Sequence, residues 1–137
     1  MGYFSKKHKR LKPREIEELY RSDPGFTPTR VRVDSGGNMA VAIDATHHKA
    51  RFFCQSRSEA MIEEMSLTDI VSVRVVASRR DETVELRFVV DDLEDTSREI
   101  DFMGDGCDWM FDLYKDEAVE WAQFVRLAKR RAAAHVR

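Results

Sequence analysis

The stretch Asp116–Ala134, DEAVEWAQFVRLAKRRAAA, is the one long uninterrupted helical pattern in the chain. Ala118, Trp121, Ala122, Val125, Ala128 and Ala132 recur at spacings of three and four and form one apolar face, which Phe124 and Leu127 widen. The spacing predicts a helix with Trp121 facing inward and Asp116 as its N-cap. Acids at Glu117 and Glu120 and bases at Lys129, Arg130 and Arg131 suit the two ends of its dipole. A helix with one apolar face has to cover something, and the residues before it supply short strands.

Alternation takes over upstream. Thr29–Asp34, Met39–Asp44, Lys49–Gln55, Ala60–Met65, Val71–Ala77, Thr83–Val90 and Ser97–Met103 read as seven strands, with Val71, Val73 and Val75 on one face of the fifth and Val84, Leu86, Phe88 and Val90 on one face of the sixth. Turn chemistry separates them: Ser35-Gly36-Gly37-Asn38, Ala45-Thr46-His47-His48, Ser56–Glu59, the corner Leu67–Ile70, Arg79–Glu82 and the acidic run Asp91–Asp95. Pro13 opens a shorter helix that Asp23-Pro24-Gly25 ends. The segment Gly104–Tyr114, with Trp109, Met110, Phe111, Leu113 and Tyr114, is too apolar for a free loop and is expected to pack beside the long helix, an exposed docking patch being the alternative.

The predicted fold is therefore mainly β within the α+β class: a seven-stranded antiparallel bent sandwich or small barrel, capped by one C-terminal amphipathic helix and preceded by a short N-terminal one. With 137 residues one domain is expected at 29–137, led by a basic arm and short helix at 1–28. Neither an apolar run of spanning length nor a signal peptide is present, so a soluble, cytosolic protein is expected.

Charge is unevenly placed. Residues 1–14 hold Lys6, Lys7, Lys9, Arg10, Lys12 and Arg14 and no acid, leaving 17 basic against 25 acidic residues for the rest. Such a body repels nucleic acid and anionic headgroups, so any contact with them falls to the arm, Met1–Lys12, which offers little to bury.

No catalytic constellation emerges. His47 and His48 are adjacent and diverge, Cys54 sits in a strand-like apolar run, and Cys107 lies between Asp105 and Asp108, which raise its pKa. No cofactor, metal site or small-molecule substrate is predicted, and the chain reads as a non-enzyme.

The order of elements over residues 29–134 resembles the pleckstrin-homology-like superfold, and its bacterial PH-like branch in particular. DEAVEWAQFV at 116–125 is similar to its capping helix with the inward Trp, here Trp121, and MAVAID at 39–44 and SLTDIVSV at 66–73 are similar to its strand and corner patterns. The resemblance implies binding of phosphoinositides, peptides or proteins, and fold alone does not choose among them. The turn Asp34–Asn38 lacks the Lys and Arg residues of phosphoinositide-binding members, and Arg57 stands beside Glu59. The expectation is a non-enzymatic protein-interaction or scaffolding module with no specific phosphoinositide site. Asp91, Asp92, Glu94 and Asp95, with an exposed strand edge, are the candidate partner-binding surface. The alternative is a peripheral membrane or nucleic-acid adaptor attached through the basic arm.

Overall fold

Alternating apolar residues and the turns between them build two separate antiparallel sheets in the computed structural model, which describes residues 2–4, 10–104 and 108–135. The chain divides into two compact units, residues 1–66 and 67–137.

The first unit holds strands β1 (Gly2–Phe4), β2 (Arg30–Val33), β3 (Met39–Asp44), β4 (Lys49–Gln55) and β5 (Ala60–Ser66), and helix α1 (Pro13–Arg21). The four strands β2 to β5 form a meander and β1 adds to its β5 edge, giving the order β1-β5-β4-β3-β2. Helix α1 begins at Pro13, where a missing N–H costs nothing, and Glu15 Oε1 accepts from the Lys12 N–H at 3.0 Å. Its apolar residues Ile16 and Tyr20, with Phe26, pack on Ala40, Ala42, Phe53 and Ala60, which share one face of the sheet. Small residues on β3 let the helix approach closely. Burial pushes the Tyr20 hydroxyl far above its usual pKa, beyond the pull of nearby Arg51.

The second unit holds a 3-10 turn (Leu67–Asp69), β6 (Ile70–Ser78), β7 (Thr83–Val90), β8 (Ser97–Asp101), a 3-10 turn (Asp108–Met110) and helix α2 (Phe111–His135). Its sheet has the order β6-β7-β8. Trp121, 4% exposed, and Ala118, Ala122, Val125, Ala128 and Ala132 are buried as their spacing predicts, and α2 packs on β6 and β7.

All seven predicted strands form, yet the described strands close no barrel. The turn at Leu67–Asp69 interrupts the ladder after β5, so β6 starts a new sheet instead of extending the first. Four local expectations are corrected. The arm Met1–Lys12, expected to be mobile and without a strand, contributes β1, whose backbone pairs with the free edge of β5. Helix α2 starts at Phe111, five residues before the expected cap at Asp116, because Phe111 is apolar enough to be buried and the residues up to Lys115 carry no helix breaker. Val71 does not join Val73 and Val75 on one face: a β-bulge between Ile70 and Ser72 turns it out into solvent. Leu11, assigned to the arm, packs against the core of the first unit and is only partly exposed.

Candidate functional site

The loop between β7 and β8 carries Asp91, Asp92, Glu94 and Asp95, the acids that the sequence singles out. Two antiparallel strands joined by it fix it at one end of the second unit, and the Asp91 N–H donates to the Asp69 carbonyl at 2.8 Å. The loop is folded on itself. Asp92 accepts from the Glu94 N–H at 3.0 Å and Asp95 from the Ser97 N–H at 3.3 Å. Arg98, which the sequence reading did not select, reaches back from β8. Its side chain is 10% exposed and lies 3.1 Å from the Asp92 carboxylate and 3.5 Å from that of Asp95, and it donates to the Asp95 carbonyl at 2.7 Å. The Glu94 N–H, and after it Arg98, hold the Asp92 carboxyl below its ordinary pKa.

One arginine among four carboxylates leaves the loop strongly negative. At its tip stands Leu93, 103% exposed. Leu93 has no role by pattern, because a single leucine in a polar run carries no periodicity. Asp92 and Glu94 flank it in the chain, so the apolar side chain stands in an acidic surround.

Helix α2 fixes what else lies at the two ends of this unit. Arg79, in the β6–β7 turn, is 2.6 Å from Asp112 on the first turn of α2, and its guanidinium stacks on Phe111. Further along, Arg126 donates to the Val73 carbonyl at 2.7 Å and Lys129 to the Val71 carbonyl at 2.9 Å. Helix α2 therefore runs antiparallel to β6, with its basic half toward the acidic-loop end and its start at the opposite end.

The candidate electrostatic arm is less free than its composition suggests. Lys6, Lys7 and Lys9 lie outside the described residues, as does Cys107. Arg10 donates to the Gly36 carbonyl at 2.9 Å, so the β2–β3 turn, which has no cation in its own sequence, receives one from 26 residues upstream. The turn is tight: Gly37 has a φ of 75°, and a Cβ there would meet the Arg10 guanidinium at 3.5 Å. Gln55, buried at the end of β4, clamps the same segment. Its Nε2 donates to the carbonyls of Leu11 and Gly37, both at 2.8 Å, and its Oε1 accepts from the Leu11 N–H at 2.9 Å. Lys12 caps α1, and Arg14 sits 3.7 Å from Glu18 on the exposed side of that helix.

The two histidines have a structural setting. Buried Asp44 accepts from the Thr27 N–H at 2.8 Å through Oδ2 and from the His47 N–H at 3.0 Å through Oδ1, and His47 Nδ1 lies 2.6 Å from Oδ2. Burial raises the Asp44 pKa, but these hydrogen bonds together outweigh it and leave the carboxyl below its ordinary value. His48 takes a positive φ of 58°, which turns the chain into β4. Cys54 is half-buried rather than part of the core, and lines a cavity of about 170 Å³ with Gln55, Ser56, Glu59, Ala60 and Met61. Among the described residues no group of three or more His, Cys, Asp or Glu side chains could hold a metal ion, and no helix is long and apolar enough to cross a membrane.

Comparison of the chain with protein-family models, with curated proteins and with solved structures returned no match.

Proposed function

We propose that the chain is a non-enzymatic PH-like protein-interaction module whose second unit docks a cationic protein partner through the Asp91–Asp95 loop. The supporting observation is where the exposed bulky apolar side chains lie. Among the described residues Val71, Leu93, Trp109, Leu113, Val119 and Leu127 all belong to residues 67–137. That unit has 11 basic against 16 acidic residues, whereas residues 1–66 have 12 against 9. Apolar contact points on a negative body favour a positively charged protein surface and disfavour a phosphate headgroup or nucleic acid. A PH-like reading is supported by the four-strand and three-strand antiparallel meanders followed by a helix with a buried Trp121.

A photo-crosslinking side chain at position 93 of the full-length protein tests this. The expected outcome is a discrete adduct with a basic protein that disappears when Asp91, Asp92 and Glu94 are neutralised together. Absence of any adduct, or vesicle binding selective for one phosphoinositide and abolished by Arg57→Ala, overturns the reading.

The positive balance of residues 1–66 favours a second reading, attachment of the chain to anionic membranes or nucleic acid through Lys6, Lys7, Lys9, Arg10, Lys12 and Arg14. It predicts binding that ignores headgroup identity and weakens steeply with salt.

A further inference from the structure

Trp109 and Leu113 are 81% and 59% exposed, the first on the 3-10 turn ahead of α2 and the second on its first turn. An α-helix advances about 100° per residue, so Leu113, Asp116 and Glu120 fall within about 60° of one another. All three are exposed, and Trp109, four residues before Leu113, leads into the same stripe. The stripe lies on the side of α2 away from buried Ala118, Ala122 and Val125. Lys115, the one cation in the sequence from Phe111 to Val125, falls about 100° or more off it. Asp112, at its flank, is paired with Arg79.

Two bulky apolar groups followed by carboxylates one and two turns on define what fits. We propose that this stripe is a second docking surface, whose occupant is a cationic amphipathic helix of a partner protein. Apolar residues of that helix cover Trp109 and Leu113, and its Lys or Arg side chains one turn further on oppose Asp116 and Glu120. The charge selects against the other occupants. An anionic membrane is repelled by the carboxylates of Asp116 and Glu120 in the same stripe. A second copy of the chain sets acid against acid in a parallel pairing, and in an antiparallel one sets Glu120 and Asp116 against Trp109 and Leu113, so that neither apolar group meets an apolar partner. The surface rests on the interaction reading for the class of partner but on none of the residues of the β7–β8 loop, which lies at the opposite end of the unit.

The test uses the full-length protein and a designed helical peptide of about 18 residues, five turns, with Leu on one face and Lys on the other, beside a counterpart in which every Lys is Glu. Tryptophan emission and calorimetric titration report binding, since Trp109 passes from water to an apolar contact while Trp121 is already buried. The expected result is binding of the Lys peptide with a blue shift, and a loss of about tenfold or more in the surface double variant Trp109→Ala/Leu113→Ala when followed by calorimetry. Asp116→Lys/Glu120→Lys should exchange the preference, binding the Glu peptide and rejecting the Lys one. Each measurement is repeated in an Asp91→Asn/Asp92→Asn/Glu94→Gln background, in which the β7–β8 loop no longer attracts the Lys peptide, and the same losses and exchange there separate this surface from the loop. The proposal is overturned by equal binding of both peptides, by undiminished binding in the double variant, or by no binding at all. A blue shift that needs only higher protein concentration, or only phosphatidylglycerol vesicles, overturns it equally, in favour of a second copy or a membrane.

Discussion

The two units solve the same problem, covering one face of an antiparallel sheet with a helix, and leave opposite surfaces behind. In residues 1–66 the short helix α1 fits against small residues on β3, and none of the bulky apolar side chains exposed among the described residues belongs to it. Its loose segments are held by buried polar side chains, Gln55 on Leu11 and Asp44 on Thr27 and His47. In residues 67–137 the longer helix α2 buries its Ala and Trp face but has more apolar residues than the sheet beneath can accept, and Leu113, Val119 and Leu127 face water. Among the described residues the first unit leaves no bulky apolar side chain exposed and the second leaves six on an acidic body, and the interaction proposed above rests on that difference.

Breaking the second unit's core should have the largest effect. Trp121 is buried against the sheet, and Trp121→Ala removes a large side chain whose space neighbouring alanines cannot fill. The expected cost is about 3 to 5 kcal/mol, close to the whole stability of a small domain. Denaturant unfolding measures it, and amide exchange locates it: residues 67–135 should lose protection first, because the cluster of Ile16, Tyr20, Phe26 and Phe53 lies wholly in the other unit. Equal loss in both units would erase the distinction drawn between them.

How far these differences can be read from sequence depends on the range of the interaction. Strands at Met39–Asp44, Lys49–Gln55 and Thr83–Val90 match their alternation end to end, since side-chain period and turn residues are local. So is the buried face of α2. Gln55 and Asp44 are legible only as polar residues closing a strand, because the segments they tie down, at Leu11 and Thr27, are 44 and 17 residues away. Val71 was misplaced because a bulge breaks the period without a marker residue. For the candidate surface the acids of the β7–β8 loop were visible as a run, but Arg98 belongs to β8 by pattern and to the loop only in space. Trp109 shows the limit best: an apolar run such as Gly104–Tyr114 can pack beside the helix or stand as an exposed patch, and only the packing decides, with Trp109 exposed among the described residues.

Asp44 gives a smaller and pH-dependent test of the polar clamps in the first unit. Its carboxyl is held below its ordinary pKa by the hydrogen bonds from Thr27 and His47, which prevail over the burial that opposes them. A depressed folded-state pKa stabilises fully above the unfolded value of about 3.9, and that contribution is lost as pH falls through the folded value. Asp23, through the Gly25 N–H and Arg51, and Asp92, through the Glu94 N–H and Arg98, have the same sign. Asp44→Asn should cost about 2 kcal/mol at pH 7, since an amide sets a donor against one of two N–H groups. Below about pH 3.9 the variant and parent should converge. A variant as stable as the parent at pH 7 would mean that Asp44 does not tie the Thr27 segment to the β3–β4 hairpin.

The smallest expected effect on stability concerns the edge of the second sheet, and it tests whether that unit's openness is controlled. Strand β6 is an edge strand in the order β6-β7-β8, and a bulge turns Val71 outward near its start. Arg126 and Lys129 of α2 donate to the carbonyls of Val73 and Val71, occupying acceptors that an added strand would use. Two acceptors of this strand edge are thus occupied by the protein's own helix. Arg126→Ala/Lys129→Ala should cost about 1 kcal/mol, because both side chains are at least partly solvated and the carbonyls can turn to water. Its larger consequence should be association: the freed carbonyls beside Val71 form a template for strand addition, and light scattering should detect oligomers that grow with concentration while Trp121 stays buried. A double variant that remains monomeric at the parent's stability would show that the two side chains do not guard this edge, and strand addition at β6 would return as a rival to the helix surface.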